Sequence, residues 1–135
     1  MAAGYSETPL AKKLGLKAGM RAWFLGMPDS VRAEIGTVDL REQTAPSAGL
    51  EAAHVFVTRR ADLEWQIAAL RDLLAPAGFI WVSWPKKAAK TDTDITEQVV
   101  REIALPTGLV DIKVCAVDEI WSGLKLVVRK SLRTA

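Results

Sequence analysis

The second half of the chain alternates short apolar runs with a helical pattern, and this alternation limits the possible folds more than any other feature. Residues 54–58 and 79–84 are compact runs rich in β-branched and aromatic side chains, as in buried strands. Between them Leu63, Ile67, Leu70 and Leu74 recur at intervals that place them on one face of a helix. A strand, a helix and a strand in this order require a right-handed parallel crossover. The alternation therefore predicts an α/β fold.

Capping and turn residues predict the remaining elements. Asp62 is the expected N-cap of the helix just described, and Pro76 with Gly78 should end it. Asp94 and Glu97 have the spacing of a capping box and predict another helix. Further segments follow in the same way: helices at residues 9–14 and 29–36, strands at 21–25 and 38–40, and a final hairpin of strands 110–117 and 124–129. We therefore expect one domain over residues 1–135, a three-layer Rossmann-like mixed sheet that is mainly parallel with a C-terminal antiparallel hairpin.

Composition and charge argue against several classes of partner. Eighteen Lys and Arg against sixteen Asp and Glu give a net charge of +2, far from the basic excess of a dedicated nucleic-acid binder. Cys115 is the only cysteine, so no intramolecular disulfide can form. No apolar stretch approaches the roughly 20 residues that span a bilayer, and residues 1–13 lack the apolar core of a secretory signal. We expect a cytoplasmic protein with no nucleic acid and no membrane among its partners.

Two resemblances add to this picture. Residues 68–82, which read AALRDLLAPAGFIWV, resemble the helix, turn and strand in the second half of class I methyltransferase-like folds. Most of the chain is also similar to a family of small bacterial proteins known only as a domain of unknown function, through residues 5–16, 83–87 (SWPKK) and 108–125. The first resemblance implies S-adenosylmethionine bound over a glycine-rich turn, and a terminal hairpin that completes the sheet. The second implies no established activity.

The turn after the first strand departs from the methyltransferase pattern. It reads Gly26-Met27-Pro28-Asp29-Ser30, with one glycine where several are expected, and Pro28 lacks an N–H. Asp39 comes only thirteen residues after Gly26, whereas a ribose-binding carboxylate usually follows at about 20. We therefore predict no cofactor, and Gly26 and Asp29 are the residues that would contact one if it binds.

Catalytic and metal sites find little support. Ser83 and His54 are predicted to lie at opposite ends of neighbouring strands, with Cα atoms about 13 Å apart, so we expect no hydrogen bond between them. His54 is then an ordinary strand-end histidine. One His and one Cys cannot complete a zinc site. Four carboxylates in loops suit Mg²⁺ or Ca²⁺ in principle, but caps and turns explain them equally well: Asp92, Asp94, Asp118 and Glu119. We predict no catalytic residue and no metal.

The expected working surface is the carboxyl edge of the sheet, because open α/β sheets bind ligands beyond the carboxyl ends of their strands. The loops that emerge there carry basic, acidic and aromatic side chains. The predicted ligand-binding residues are Arg59, Arg60, Ser83, Trp84, Lys86, Lys87, Asp118, Glu119, Trp121 and Ser122. The cations would attract an anion, and the two tryptophans would stack on it. The alternative is that both tryptophans pack in the core and the charges pair with one another.

Three functions remain open. The favoured one is a noncatalytic binding module that recognises a small anionic or nucleotide-like ligand, or a protein, at this edge. The second is an S-adenosylmethionine-dependent methyltransferase-like enzyme with an atypical cofactor site. The third is a homo-oligomeric interaction subunit that associates through the apolar strand 124–128 or through the helix face that carries Trp65.

Overall fold

The structure is a computed structural model and describes residues 9–133. In this part of the chain the α-helices are α1 (Leu10–Lys13), α2 (Asp29–Ile35), α3 (Arg60–Arg71) and α4 (Glu97–Ala104). The strands are β1 (Arg21–Leu25), β2 (Arg41–Glu42), β3 (Leu50–Phe56), β4 (Leu74–Pro85), β5 (Leu109–Ala116) and β6 (Trp121–Val128). Short 3-10 turns lie at Lys87–Ala89, Leu105–Thr107 and Lys130–Leu132.

The strands form one six-stranded sheet in the order β2-β1-β3-β4-β6-β5. β1 to β4 are mutually parallel, and β6 runs antiparallel to both of its neighbours, β4 and β5. After β1 the chain adds β2 on one side and then β3 on the other, so the topological switch point lies between β1 and β3. The predicted α/β mixed sheet, mainly parallel with a terminal antiparallel hairpin, is confirmed.

Helices cover both faces of the sheet. On one face α3 and α4 bury Leu63, Ile67, Leu70, Val100 and Ala104 against the strands. On the other face α1 and α2, with the residue that ends α1, bury Leu10, Leu14, Val31 and Ile35. Because both faces are covered, the central strands are apolar almost throughout, which is why their sequence lacks a polar alternation.

Two predicted caps are wrong. α3 begins at Arg60, so Asp62 lies in its first turn instead of capping it. The Arg60 amide donates to the Asp94 carboxylate at 2.6 Å, so Asp94 serves α3 and not the helix that follows it in sequence. α4 begins two residues later than the capping-box spacing predicts, with Thr96 as its N-cap accepting from the Val99 N–H. Sequence spacing missed this because the partner of Asp94 comes from a different element.

The predicted end of α3 is also wrong. The helix stops at Arg71, and Pro76 and Gly78 lie within β4. The register between β3 and β4 shifts there, from Leu50 opposite Leu74 to Ala52 opposite Phe79. A Cβ on Gly78 would lie 2.7 Å from the Leu50 carbonyl oxygen, so the irregular segment requires glycine.

The available edge of the sheet differs from the one predicted for self-association. The apolar strand 124–128 lies in β6, which is paired with β4 on one side and β5 on the other. β5 is the edge strand on this side of the sheet, and it exposes Ile112 and Val114. No helix among residues 9–133 is both long enough and apolar enough to cross a membrane.

Candidate functional site

The carboxyl ends of the parallel strands meet at one edge of the sheet, together with the turn between β5 and β6. Pro85 at the end of β4 pairs with Trp121, and the Lys86 N–H donates to the Ile120 carbonyl at 2.8 Å. The Lys86 ammonium also donates to the Asp118 carbonyl at 2.6 Å. Lys86 and Trp121, although distant in sequence, therefore lie at the same edge.

The turn after β1 lies at the switch point. Gly26 has φ +66°, and a Cβ there would lie 3.1 Å from the Phe56 carbonyl oxygen, so the turn passes tightly against β3. Pro28 then precedes α2 and accepts through its carbonyl from Val31 and Arg32. Asp29 is exposed in the first turn of α2. Gly26 and Asp29, the two residues predicted to contact a cofactor, thus lie on one short segment.

The strand that should present a ribose-binding carboxylate is too short. Glu42 ends β2 and pairs with Ala22, three residues before Leu25 and so about 10 Å below the end of β1. Its carboxylate is held by both terminal nitrogens of Arg32, each at 2.9 Å. This hydrogen bonding to Arg32 lowers the pKa of Glu42. Asp39 precedes β2 and is no closer to the edge.

A cleft of about 500 Å³ opens on the α4 side of the same edge. The end of β4 and Ser122 form one wall, and the segment from Thr91 to Glu97 forms the other. It is lined by Trp84, Pro85, Lys86, Lys87, Thr91, Thr93, Ile95, Thr96, Glu97 and Ser122. Its volume falls in the range of about 300–1,000 Å³ that is usual for small-molecule sites.

The second wall of the cleft is fastened to the loop after β3. The Thr93 hydroxyl donates to the Thr58 carbonyl at 2.7 Å and accepts from the Ile95 N–H. Asp94 bonds the Arg60 amide, and Asp92 pairs with Arg59 at 2.8 Å. These contacts keep the wall at a distance from β4, so the cleft is part of the folded architecture.

The predicted ligand-binding residues are only partly brought together. Lys86, Lys87, Trp84 and Ser122 line the cleft. The two arginines turn away from the β5–β6 turn: Arg59 pairs with Asp92, and Arg60 pairs with Glu64 and Glu102. These hydrogen bonds raise the pKa of both guanidinium groups. From the strand order we expected the edge loops to bring Arg59 and Arg60 near Asp118 and Glu119. This expectation is wrong, because acidic residues on α3 and around α4 pair with both arginines.

Asp118 and Glu119 have separate positions. The Asp118 carboxylate accepts from the Ile120 and Trp121 N–H groups, both at 2.8 Å, so it closes the hairpin turn. Glu119 is exposed at the tip of that turn. Among residues 9–133, no group of three or more His, Cys, Asp or Glu is arranged to hold a metal ion.

Trp84 and Trp121 cannot stack on the same ligand. Trp84 is only 7% exposed and packs in the layer covered by α3 and α4. Trp121 is half-buried on the opposite face, where it meets Phe56 edge to face at 5.2 Å. Side chains alternate between faces along a strand, and Trp84 pairs with Ser122, the neighbour of Trp121. A shared stacking surface was therefore a wrong expectation, although an edge of Trp84 still lines the cleft.

His54 and Ser83 do form a hydrogen bond, which the sequence argument wrongly excluded. Nε2 of His54 and Oγ of Ser83 are 2.7 Å apart. β3 begins at Leu50, so His54 lies in the middle of the strand, and Ser83 pairs with Phe56, two residues away on the same face. The separation of about 13 Å assumed that His54 starts its strand.

The His54–Ser83 pair is structural. His54 is 2% exposed and Ser83 is fully buried, so no substrate reaches them. The imidazole stacks on Phe56 at a centroid distance of 4.2 Å. Burial lowers the pKa of His54 to about 3, so the ring is neutral at physiological pH. The pair satisfies two polar groups inside an apolar layer.

Sequence reasoning overlooked the threonines of the cleft wall. Thr91, Thr93 and Thr96 lie in the run TDTDIT, which precedes α4. The usable signal was the number of hydroxyl and carboxylate side chains in these six residues, which follow the SWPKK segment after a gap of three residues. The spacing of Asp94 and Glu97 instead directed attention to helix capping.

Comparison with known proteins identifies the fold. A methyltransferase from Aquifex aeolicus, described as dependent on S-adenosylmethionine, has a TM-score of 0.62 at 14% identity and covers 88% of each chain. A Sulfolobus solfataricus protein, described as a candidate type 11 methyltransferase, also scores 0.62 at 10% identity and covers 93% of each chain. Fibrillarin from Aeropyrum pernix, with natively bound S-adenosyl-L-methionine, scores 0.58 at 14% identity over 92% of this chain and 70% of that one.

These structural similarities support the methyltransferase-like fold. They do not support the similarity to the small bacterial family of unknown function. No protein-family model matches the chain, and no curated protein matches it. The similarity to the small bacterial family of unknown function therefore stays a prediction, and residues 5–8 of the segment on which it partly depends lie outside the described residues. At identities of 10–14% the structural similarity carries the fold alone. The chain has the fold of the class I methyltransferases.

Proposed function

We propose that this chain is an S-adenosylmethionine-dependent methyltransferase-like protein with an atypical cofactor site at the switch point between β1 and β3. The observation that carries the proposal is Gly26, whose positive φ and close approach to the Phe56 carbonyl form a tight, glycine-dependent turn at the point where such sheets bind nucleotides. Solved neighbours that cover about nine-tenths of this chain include proteins described as methyltransferases, and the fibrillarin neighbour holds S-adenosyl-L-methionine. When bound, the cofactor would supply an activated methyl group.

The residues around Gly26 fit this cofactor in part. A side chain at Gly26 would press on the Phe56 carbonyl and displace the turn, and the exposed Asp29 carboxylate, three residues on, can accept hydrogen bonds from ribose hydroxyls or from an amino group. The acidic residue that usually binds the ribose from the second strand has no equivalent here. β2 ends well before the edge of the sheet, and the carboxylate of its last residue, Glu42, is hydrogen-bonded to Arg32. Recognition of the ribose would therefore depend on Asp29, which is why we describe the site as atypical.

A noncatalytic binding module is the second candidate. The short β2 and the Arg32–Glu42 ion pair favour it, because they leave no carboxylate at the edge to bind a ribose in the conventional way. The same observation makes the cofactor site atypical. A domain of this kind would keep the fold and its edge loops and bind a ligand other than S-adenosylmethionine.

Calorimetry with S-adenosylmethionine on the purified chain tests the proposal. We expect binding at micromolar concentrations, and Asp29→Asn should weaken it about tenfold because a hydrogen bond to a charged group is lost. Glu34→Gln is the matched control, since Glu34 is also exposed on α2 but lies more than one turn away from the switch point. Absence of binding up to about 1 mM would reject the proposal in favour of the noncatalytic module.

A further inference from the structure

The cleft between the end of β4 and the wall at residues 91–97 is separate from the switch point. The strand β3 lies between β1 and β4, so the cleft is about two strand spacings, roughly 10 Å, from the turn at Gly26. Its shape and lining residues therefore need an explanation that the cofactor site does not supply.

The floor of the cleft is apolar. Trp84, Pro85 and Ile95 line it, and Trp84 and Ile95 are 7% and 2% exposed. Water in contact with such a floor gains little hydrogen bonding, so an apolar group would displace it favourably. The floor thus offers a narrow apolar contact to a small molecule.

The mouth of the cleft is cationic. Lys86 lines the cleft and uses one of its three donor hydrogens on the Asp118 carbonyl, which leaves two donors. Lys87 is exposed and takes part in no ion pair within residues 9–133. Both ammonium groups therefore have donor hydrogens that an anion can use.

The acidic residues near the cleft are engaged elsewhere. Glu97 lines the cleft, but its carboxylate pairs with Arg101 one turn along α4. Asp92 pairs with Arg59 on the outer side of the wall, and Asp118 closes the hairpin turn. The two lysines therefore keep their attraction for a ligand.

Hydroxyl groups complete the lining. Ser122 lies on the β4 side, and Thr91 and Thr96 lie on the opposite wall. Thr96 accepts from the Val99 N–H, so its own hydroxyl hydrogen is available to a ligand oxygen. Donors on both walls can surround a compact oxyanion, and Lys87 can pair with its charge.

We infer that this cleft binds a small organic acid, in which a carboxylate or phosphate lies between the lysines and the hydroxyls while its apolar body contacts the exposed part of Trp84 and the adjacent apolar lining. The inference does not depend on the proposed cofactor site. Loss of Lys87 should leave the affinity for S-adenosylmethionine unchanged, so each can fail without the other.

The test is an NMR titration of the whole chain with benzoate, phenyl phosphate, inorganic phosphate and benzyl alcohol. We expect at least one of the two aromatic acids to shift the amide signals of residues 84–87 and 91–97, with benzoate favoured if the site prefers carboxylates and phenyl phosphate if it prefers phosphates. Benzyl alcohol and inorganic phosphate should bind at least about tenfold more weakly, because the alcohol lacks the anionic group and inorganic phosphate lacks the apolar body.

Two lysine variants make the test specific. Lys87→Ala should weaken the better acid about tenfold, and Lys87→Gln serves if the alanine variant does not fold. Lys90→Asn is the control, since it removes a charge three residues away that does not line the cleft, and asparagine tolerates the left-handed backbone at this position, φ 54°.

Four outcomes would overturn the inference. They are no shift by either acid up to about 10 mM, shifts confined to the Gly26 turn, equal binding of benzyl alcohol or inorganic phosphate, and equal loss in the Lys90 and Lys87 variants. The last of these would mean that general surface charge, and not a defined site, attracts the acid.

Discussion

The strands on the two sides of the switch point differ greatly in length and burial. On one side β2 has two exposed residues and is fixed by an ion pair at the surface. On the other side β4 extends over twelve residues, pairs with two strands and ends in eight successive buried residues. The contrast teaches that the core of this methyltransferase-like fold is built around its long central strand, whereas the strand beyond the switch point is only two residues long. The cleft of about 500 Å³ lies at the end of β4, on the side with the longer and more deeply buried strand.

The largest expected effect tests where the stability resides. Ile80→Ala removes a fully buried side chain at the centre of β4 and should lower the free energy of unfolding by about 2–5 kcal/mol. Glu42→Gln is the counterpart in β2 and should cost only about 0–1 kcal/mol, because the pair with Arg32 is largely exposed. Urea unfolding of both variants measures the difference. Similar losses for the two would end the contrast between the sides.

The next effect concerns pH. The folded pKa of His54, about 3, lies below its unfolded value near 6.5, so the unfolded chain takes up a proton between these pH values. Stability contributed by neutral His54 is therefore fully present above about pH 6.5 and falls as the pH drops, with a loss of about 2 kcal/mol at pH 5. His54→Gln keeps a partner for Ser83 but cannot titrate, so its stability should change less between pH 7 and pH 5. Equal slopes for the two proteins in urea unfolding would contradict the assignment.

The smallest effect concerns the turn after β1, which lies between the two sides. Gly26→Ala should destabilise the protein by about 1–2 kcal/mol, because φ is +66° and the new Cβ would press on the Phe56 carbonyl. Gly19→Ala is a useful control, since its φ of +85° is also positive but no atom lies within 4 Å of the added Cβ. Thermal unfolding compares the two. If Gly19→Ala is equally costly, only backbone strain matters, and the close approach of the turn to β3 contributes nothing.

The periodicity of the sequence was sufficient to predict the fold class. The spacing of Leu63, Ile67 and Leu70 predicted the buried face of α3. The apolar character of residues 79–84 predicted the central strand, because a strand that is buried on both faces is apolar at nearly every position. The boundary of β1 was also predictable. By contrast, the caps of α3 and α4 were wrong, since Asp94 bonds an amide thirty-four positions away.

The amino-acid sequence by itself determined an α/β sheet, the edge at which its loops collect and the shortage of glycines after β1. These properties follow from the order of residues along the chain. Only the tertiary structure decided that His54 reaches Ser83, that Trp84 and Trp121 face opposite sides, and that the arginines turn toward α3 and α4. The physical reason is strand register: a shift of one residue reverses which face a side chain occupies, and no local pattern specifies the pairing partner.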